Sequence, residues 1–183
     1  MATPAVSLRL GQLPNALTVA RFVLVPVFVV LLVLADGGHS WAAGIVFGVA
    51  AITDQIDGWL ARRWRVESEF GKYADPLADR LMIDAAVILL YLDDRLGWPA
   101  LVAIVARDAL LIGGARFAVP RGYEFSVSFL GKAATWVLYA AVAFVIVTHK
   151  GTEWPVDLFW SGLGLAVLSA LVYVGSAWKA IHR

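Results

Sequence analysis

Two pairs of aspartates, Asp54 with Asp57 and Asp75 with Asp79, stand within or at the edge of strongly apolar stretches. The members of each pair are three or four positions apart, so on an α-helix both carboxylates of a pair share one face. A charged carboxylate in an apolar span costs about 3 kcal/mol unless something compensates it. Four of them in a small volume would repel, and some would protonate, unless a multiply charged cation is present. Oxygen donors without sulfur or imidazole favour magnesium, with manganese or calcium as substitutes. The chain has no cysteine, and His39, His149 and His182 fall in polar connections or at the terminus, so carboxylates are left to hold a metal.

Asp54, Asp57, Gly58, Ala61 and Arg62 recur at helical spacing, which gives one face a negative end, a gap of small residues and a positive end. A basic stretch from Arg63 to Lys72 leads to the second pair, so the two pairs face each other across a hairpin. Simpler explanations stand beside the metal site. Asp75 precedes Pro76, an arrangement that an N-cap followed by proline at the first helical position explains equally well. Asp54 or Asp57 could pair with Arg62, and Asp79 with Arg80. Gly58 and Gly71 could serve packing or a turn, although Gly58 beside two acids leaves room for a ligand close to the backbone.

The elements that must position these residues are membrane spans. Of 183 residues, 61% are hydrophobic and 16% charged, far more apolar than a soluble domain. Apolar runs cover residues 16–35, 41–60, 77–92, 99–117, 127–148 and 157–178, each near the 20 residues that a span requires. The expected fold is therefore all-α and integral to a membrane, with six transmembrane helices and one domain over residues 1–183. The opening residues 1–11 lack the pattern of a cleaved signal, so the first run is expected to be a mature helix. Of the 15 Lys and Arg residues, only Arg95 and Lys150 fall on the side opposite the amino terminus, with Arg107 inside a span. That asymmetry predicts that both termini and the Arg62–Asp75 connection face the cytoplasm. Trp41, Trp98 and Trp154 lie near span ends on the other side, as interfacial anchors do.

The pattern Asp54-x-x-Asp57-Gly58-x-x-Ala61-Arg62, eight residues, Gly71, three residues, Asp75, three residues, Asp79 resembles the signature of the CDP-alcohol phosphatidyltransferases at every fixed position. The opening Pro14-Asn15-Ala16-Leu17-Thr18-x-x-Arg21 and the six-helix count are similar to that family as well. The resemblance implies that Asp54, Asp57, Asp75 and Asp79 hold two magnesium ions, for which manganese can substitute, and that Asp79 is the base for the acceptor hydroxyl. It implies that Gly58, Ala61 and Gly71 make room for the cytidine nucleotide, that Arg62 holds its diphosphate, and that Asn15, Thr18 and Arg21 line the same pocket. It also implies CDP-diacylglycerol and a glycerol-type alcohol as substrates and a homodimer in the cell membrane, with the active site on the cytoplasmic side and no nucleic-acid partner. The chemistry agrees independently, because two cations can bridge a diphosphate, neutralise a departing CMP and orient an in-line attack by an alcohol.

The acceptor is set outside the signature. The run from Val127 to Thr135 and the pair Arg107-Asp108 look more like members that use phosphatidylglycerol to make cardiolipin. Members that use glycerol 3-phosphate are expected to carry Arg-Glu at the pair and a second lysine near Thr135, where this chain has alanines. Phosphatidylglycerol is thus the expected acceptor and glycerol 3-phosphate the alternative. Arg107, Arg116, Arg121 and Lys132 form the expected acceptor-phosphate cluster, with pairing of Arg107 to Asp108 an equal reading for the first. The competing class is a small cation transporter or channel, which acids gathered on one side beside Arg62 make a poor path for.

Overall fold

Each long apolar run becomes an α-helix. The computed structural model describes residues 13–35, 39–64, 69–118 and 129–181, although the side chains at 13–15, 18, 54, 55, 57–64, 69–79, 111, 112, 114–118, 173 and 177–181 lie outside that description. Six helices follow one another: α1 (Leu13–Val33), α2 (Trp41–Trp64), α3 (Glu69–Leu92), α4 (Trp98–Ala118), α5 (Phe129–Val147) and α6 (Trp154–Ile181). No strand occurs among the described residues. The largest departure from the sequence expectation is α3, which starts at Glu69 and not near Leu77. Its first half alternates polar and apolar residues at helical spacing, so a search for continuous apolar runs does not register it.

The connections after α1, α3 and α5 meet at one end of the bundle. The Ser40 N–H donates to the Ile146 carbonyl at 2.9 Å. Arg95 Nη2 donates to the Thr148 carbonyl at 2.7 Å, and Lys150 Nζ to the Asp93 carbonyl at 2.7 Å. The rings of His39 and His149 lie 4.0 Å apart between centroids. Successive helices therefore alternate in direction, so α2 and α4 end, and α3 and α5 begin, toward the opposite end. Local chemistry fixes the turns at the first end. Ser40 Oγ accepts from the Ala43 N–H at 3.1 Å and caps α2. Asp94 takes a left-handed φ of 55°, its N–H donating to the Tyr91 carbonyl at 3.0 Å while the Arg95 N–H donates to the Leu90 carbonyl at 2.8 Å. This is a Schellman closure, in which aspartate stands where glycine is usual. Trp41, Trp98 and Trp154 are the first residues of α2, α4 and α6, all exposed at this same end.

Inside the bundle, α1 packs on α2 and α3, α2 on α5, and α5 on α6, which in turn covers α4. Phe28 and Phe47 are fully buried, with ring centroids 5.7 Å apart, and Phe47 lies 5.5 Å from Tyr139, so aromatic contacts join α1, α2 and α5. The outward faces are apolar too. Val19, Val23, Val27 and Val30 form an exposed stripe on α1, and Ile45, Val49, Ile52 and Ile56 form another on α2. A water-facing helix would place polar residues there. By length and composition, Phe129–Val147 and Trp154–Ser176 are long and apolar enough to cross a membrane.

The helices α5 and α6 approach closely at Gly162, where an added Cβ would lie 3.0 Å from the Leu138 backbone nitrogen and 3.2 Å from its Cα. Backbone cannot rotate away as a side chain can, so the two helices must separate. Gly162→Ala is expected to destabilise the protein by about 1–3 kcal/mol. Gly164→Ala, two positions along with nothing within 4 Å of its Cβ, should change stability little. Thermal unfolding in detergent measures both, and equal melting temperatures for the two variants would contradict the packing argument.

Candidate functional site

The signature aspartates occupy the carboxyl-terminal half of α2 and the amino-terminal half of α3, two helices that pack on each other. Asp54 lies ten residues before the end of α2 and Asp79 ten residues after the start of α3, so at 1.5 Å per residue both are about 15 Å in from the end opposite the tryptophans. Asp57 and Asp75 lie seven and six residues in, each at about 10 Å. Counted from their own helix ends, Asp54 and Asp79 thus share one depth and Asp57 and Asp75 another. Their side chains, like those of Asn15, Thr18, Gly58, Ala61, Arg62, Gly71 and Arg116, lie outside the described residues, as does Arg121 altogether. Aspartates offer oxygen donors only, the residue type that suits a hard divalent cation. Among the described side chains no group of three or more His, Cys, Asp or Glu gathers.

Asp75 sits six residues inside α3, so the N-cap explanation for it falls away: the helix starts earlier than the Asp75-Pro76 pair suggested. Thr53, beside Asp54, has its hydroxyl committed to the carbonyls of Val49 and Ala50, each at 2.9 Å. Of the residues expected to line the nucleotide pocket, Arg21 is described; it is only 1% exposed on α1 and is engaged in an interaction. An arginine buried so fully in an apolar bundle is held by a partner, because an isolated charge there is too costly.

A second charged cluster lies mid-way along α3 and α4. Arg107 Nη1 donates to Asp108 Oδ1 at 3.1 Å, which settles the open question of what Arg107 pairs with. Arg80 Nη1 reaches the other carboxylate oxygen, Asp108 Oδ2, at 3.5 Å. Sequence reasoning considered Arg80 only as a neighbour for Asp79, and did not place Asp108 between two arginines. The signal available was weak: three charges in the middle of two spans that a short turn makes antiparallel. Lys132, in the first turn of α5, is exposed and well separated in sequence from this cluster.

The opposite end holds a polar cleft of about 330 Å³ lined by Asp94, Arg95, Lys150, Glu153 and Asp157 among others. It is formed by the two tied turns, and burial there pushes the Arg95 guanidinium below its ordinary value while Asp93 opposes the shift. Being at the wrong end of the bundle, it has no access to the signature aspartates.

The pattern of the family described as CDP-alcohol phosphatidyltransferase matches residues 11–175. A CDP-diacylglycerol-glycerol-3-phosphate 3-phosphatidyltransferase of Bacillus subtilis is 31% identical over 187 residues, covering 93% of this chain and 97% of its own length. A probable phosphatidylglycerophosphate synthase of Mycobacterium tuberculosis is 35% identical over 178 residues, covering 94% of this chain and 85% of its own. The CDP-diacylglycerol-glycerol-3-phosphate 3-phosphatidyltransferase of Escherichia coli is 31% identical over 176 residues, covering 91% and 94% respectively. With a family pattern over most of its length, and relatives matched nearly from end to end, the chain belongs to the CDP-alcohol phosphatidyltransferase family.

Proposed function

We propose that this protein is an integral membrane enzyme that transfers the phosphatidyl group of CDP-diacylglycerol to glycerol 3-phosphate, releasing CMP and forming phosphatidylglycerophosphate. The observation that carries the acceptor is the set of relatives just described, whose names carry glycerol 3-phosphate as substrate or phosphatidylglycerophosphate as product. Phosphatidylglycerol, the acceptor favoured on sequence alone, gives way to this reading. That preference rested on the run from Val127 to Thr135, on Arg107-Asp108 in place of an Arg-Glu pair and on alanines in place of a second lysine; Asp108 nevertheless pairs with both Arg80 and Arg107.

In the proposed reaction the acceptor's primary hydroxyl gives its proton to the Asp79 carboxylate while its oxygen attacks the phosphorus that bears the diacylglycerol. The bond from that phosphorus to the CMP oxygen breaks as the new one forms, and CMP leaves with the electron pair. Asp54, Asp57, Asp75 and Asp79 would hold two magnesium ions, which when bound supply neutralisation of the diphosphate and of the leaving group. Gly58, Ala61 and Gly71 leave space for the nucleotide, and Arg62 adds charge-assisted hydrogen bonds to its diphosphate. Arg107, Arg116, Arg121 and Lys132 are the basic groups assigned to the acceptor. The exposed apolar stripes and the shared level of Trp41, Trp98 and Trp154 support a bilayer around the helices. The Lys and Arg asymmetry supports a cytoplasmic signature end. A cation channel is a poor fit, because Arg80 and Arg107 stand in the middle of the bundle, poor neighbours for a conducted cation.

Three outcomes are expected. Purified enzyme with CDP-diacylglycerol and magnesium should convert glycerol 3-phosphate to phosphatidylglycerophosphate faster than it converts phosphatidylglycerol to cardiolipin, as lipid chromatography of the products will show; cardiolipin as the main product would reverse the acceptor assignment. Asp57→Asn keeps the side chain's shape and removes a charge, so it should lower turnover more than about 100-fold, near 3 kcal/mol of transition-state stabilisation, and abolish the rise in melting temperature that magnesium gives the wild type. Retained turnover would remove Asp57 from the metal set. Cysteine placed at Ser68 should react with a membrane-impermeant label from the cytoplasmic side and cysteine at Glu153 from the other, and the reverse pattern would invert the topology.

A further inference from the structure

Among the described side chains of α3, those in the apolar core are Met82, Ile83, Ala86, Val87 and Leu90, which all follow Arg80 toward the tied end. The helix lies mainly along α1 and touches α2, α4 and α5 more sparingly. A contact made by a long side chain, far from the helix axis, is the one most sensitive to rotation about that axis. Arg80 makes such a contact: its Nη1 lies 3.5 Å from Asp108 Oδ2 on α4. Asp108 is itself held, because Arg107 Nη1 donates to its other oxygen, Oδ1, at 3.1 Å, and its side chain is only 12% exposed. The helix that carries it is packed along α6. Charge balance is a separate matter. Asp84, one turn beyond Arg80 and itself engaged, lies on α3 as well, as do Asp75 and Asp79 before it. Whatever share of the Arg80 charge these acids take, that contact stays within α3, whereas Asp108 reaches Arg80 from a different helix.

Arg80 directly follows Asp79, the proposed metal ligand and base, so the helix carries the two as one unit. Helical side chains reach about 5 Å from the axis, so turning α3 by about 20° would carry the Asp79 carboxylate through roughly 2 Å. A misplacement of about 1 Å at a reacting group can cost about 100-fold in rate. Asp75, on the same helix, would move with it. We infer that Asp108 is a positioning residue of the transferase: by holding Arg80 it sets the rotation of α3, and so the place of Asp79 and Asp75. In this role Asp108 works through Arg80 and contacts neither substrate nor metal, and it stands outside the aspartate signature. The inference deepens the proposed function and rests on its reading that the aspartates of α2 and α3 hold magnesium.

Two measurements on protein purified in detergent test this: CMP release from CDP-diacylglycerol with glycerol 3-phosphate, and the magnesium concentration that gives half of the full rise in melting temperature. They are made on wild type, Asp108→Asn, Asp108→Glu, Arg80→Gln and the double variant Asp108→Asn/Arg80→Gln. Asp108→Asn should lower kcat at least about tenfold and raise the half-effect magnesium concentration at least about threefold, with KM for glycerol 3-phosphate within about threefold. Asp108→Glu restores the carboxylate and should recover most of both losses, although its extra methylene disturbs packing more than the isosteric Asn does. The double variant should be within about twofold of Arg80→Gln alone, because two residues that act through one contact are not additive. Losses that multiply in the double variant would overturn the inference. A fall in magnesium-free melting temperature with kcat and magnesium response intact, or Glu more damaging than Asn, would mark a packing role and overturn it too. A loss confined to KM for glycerol 3-phosphate would do the same. Should Asp108→Asn not fold, Arg80→Gln against Arg80→Lys supplies both readouts: lysine keeps the ion pair and should recover them, and equal losses count against the inference. Wild type that magnesium stabilises but that releases no CMP sinks the proposed reaction alone, and the magnesium readout then decides. Wild type that does neither sinks both.

Discussion

A charge inside an apolar helix bundle must have a counter-charge or a cation within reach, because transfer of an isolated carboxylate or guanidinium away from water costs several kcal/mol even after local relaxation. That constraint orders most of this structure. Arg21 on α1 is all but fully buried and engaged, and Asp108 on α4 is held between Arg80 and Arg107. The four signature aspartates lie on two packed helices, Asp54 and Asp57 toward the end of α2 and Asp75 and Asp79 toward the start of α3. Sliding α2 against α3 by one turn would shift one pair against the other by about 5 Å, so the proposed metal site would depend on the register of these two helices.

Register is maintained from the far end. There the connections after α1, α3 and α5 are joined by backbone and side-chain hydrogen bonds, and α3 closes with a Schellman turn around Asp94. Gly162 lets α6 come close to the backbone of α5 at Leu138, and Gly44 leaves room on α2 for the Val147 side chain of α5. These are specific, shape-dependent contacts, the kind that substitute for a hydrophobic driving force when the surroundings are themselves apolar. The fastened end is thus the one opposite the signature acids.

How much of this could be read from the sequence depends on how local the determining interaction is. The six helices were legible because each rests on its own apolar run, and the aspartate signature because its spacing is fixed along the chain. The start of α3 was not, since its first turns carry Glu69, Lys72, Asp75 and Asp79 and are stabilised by what surrounds them and not by uniform apolarity. That same misplacement made Asp75 look like a cap. The Arg80–Asp108 pair was out of reach for a different reason: it depends on the rotation of α3 about its axis and the register of α4 beside it, neither of which a single sequence encodes locally. The expectation of an Arg-Glu pair came from resemblance to other members and not from geometry. At 3.1 and 3.5 Å the shorter acid already reaches both arginines.

The acceptor problem turns on the same electrostatics. A phosphate monoester carries nearly two negative charges near neutral pH, whereas the phosphodiester of a lipid carries one. Arg80 and Arg107 both pair with Asp108, so part of their charge is spent inside the bundle. Lys132 opens α5 with its side chain exposed, well placed for a ligand arriving from outside the bundle and poorly placed for a core ion pair. An outer cation of that kind would hold a doubly charged monoester more strongly than a singly charged phosphodiester, and so would separate the two acceptors without any change at the aspartates.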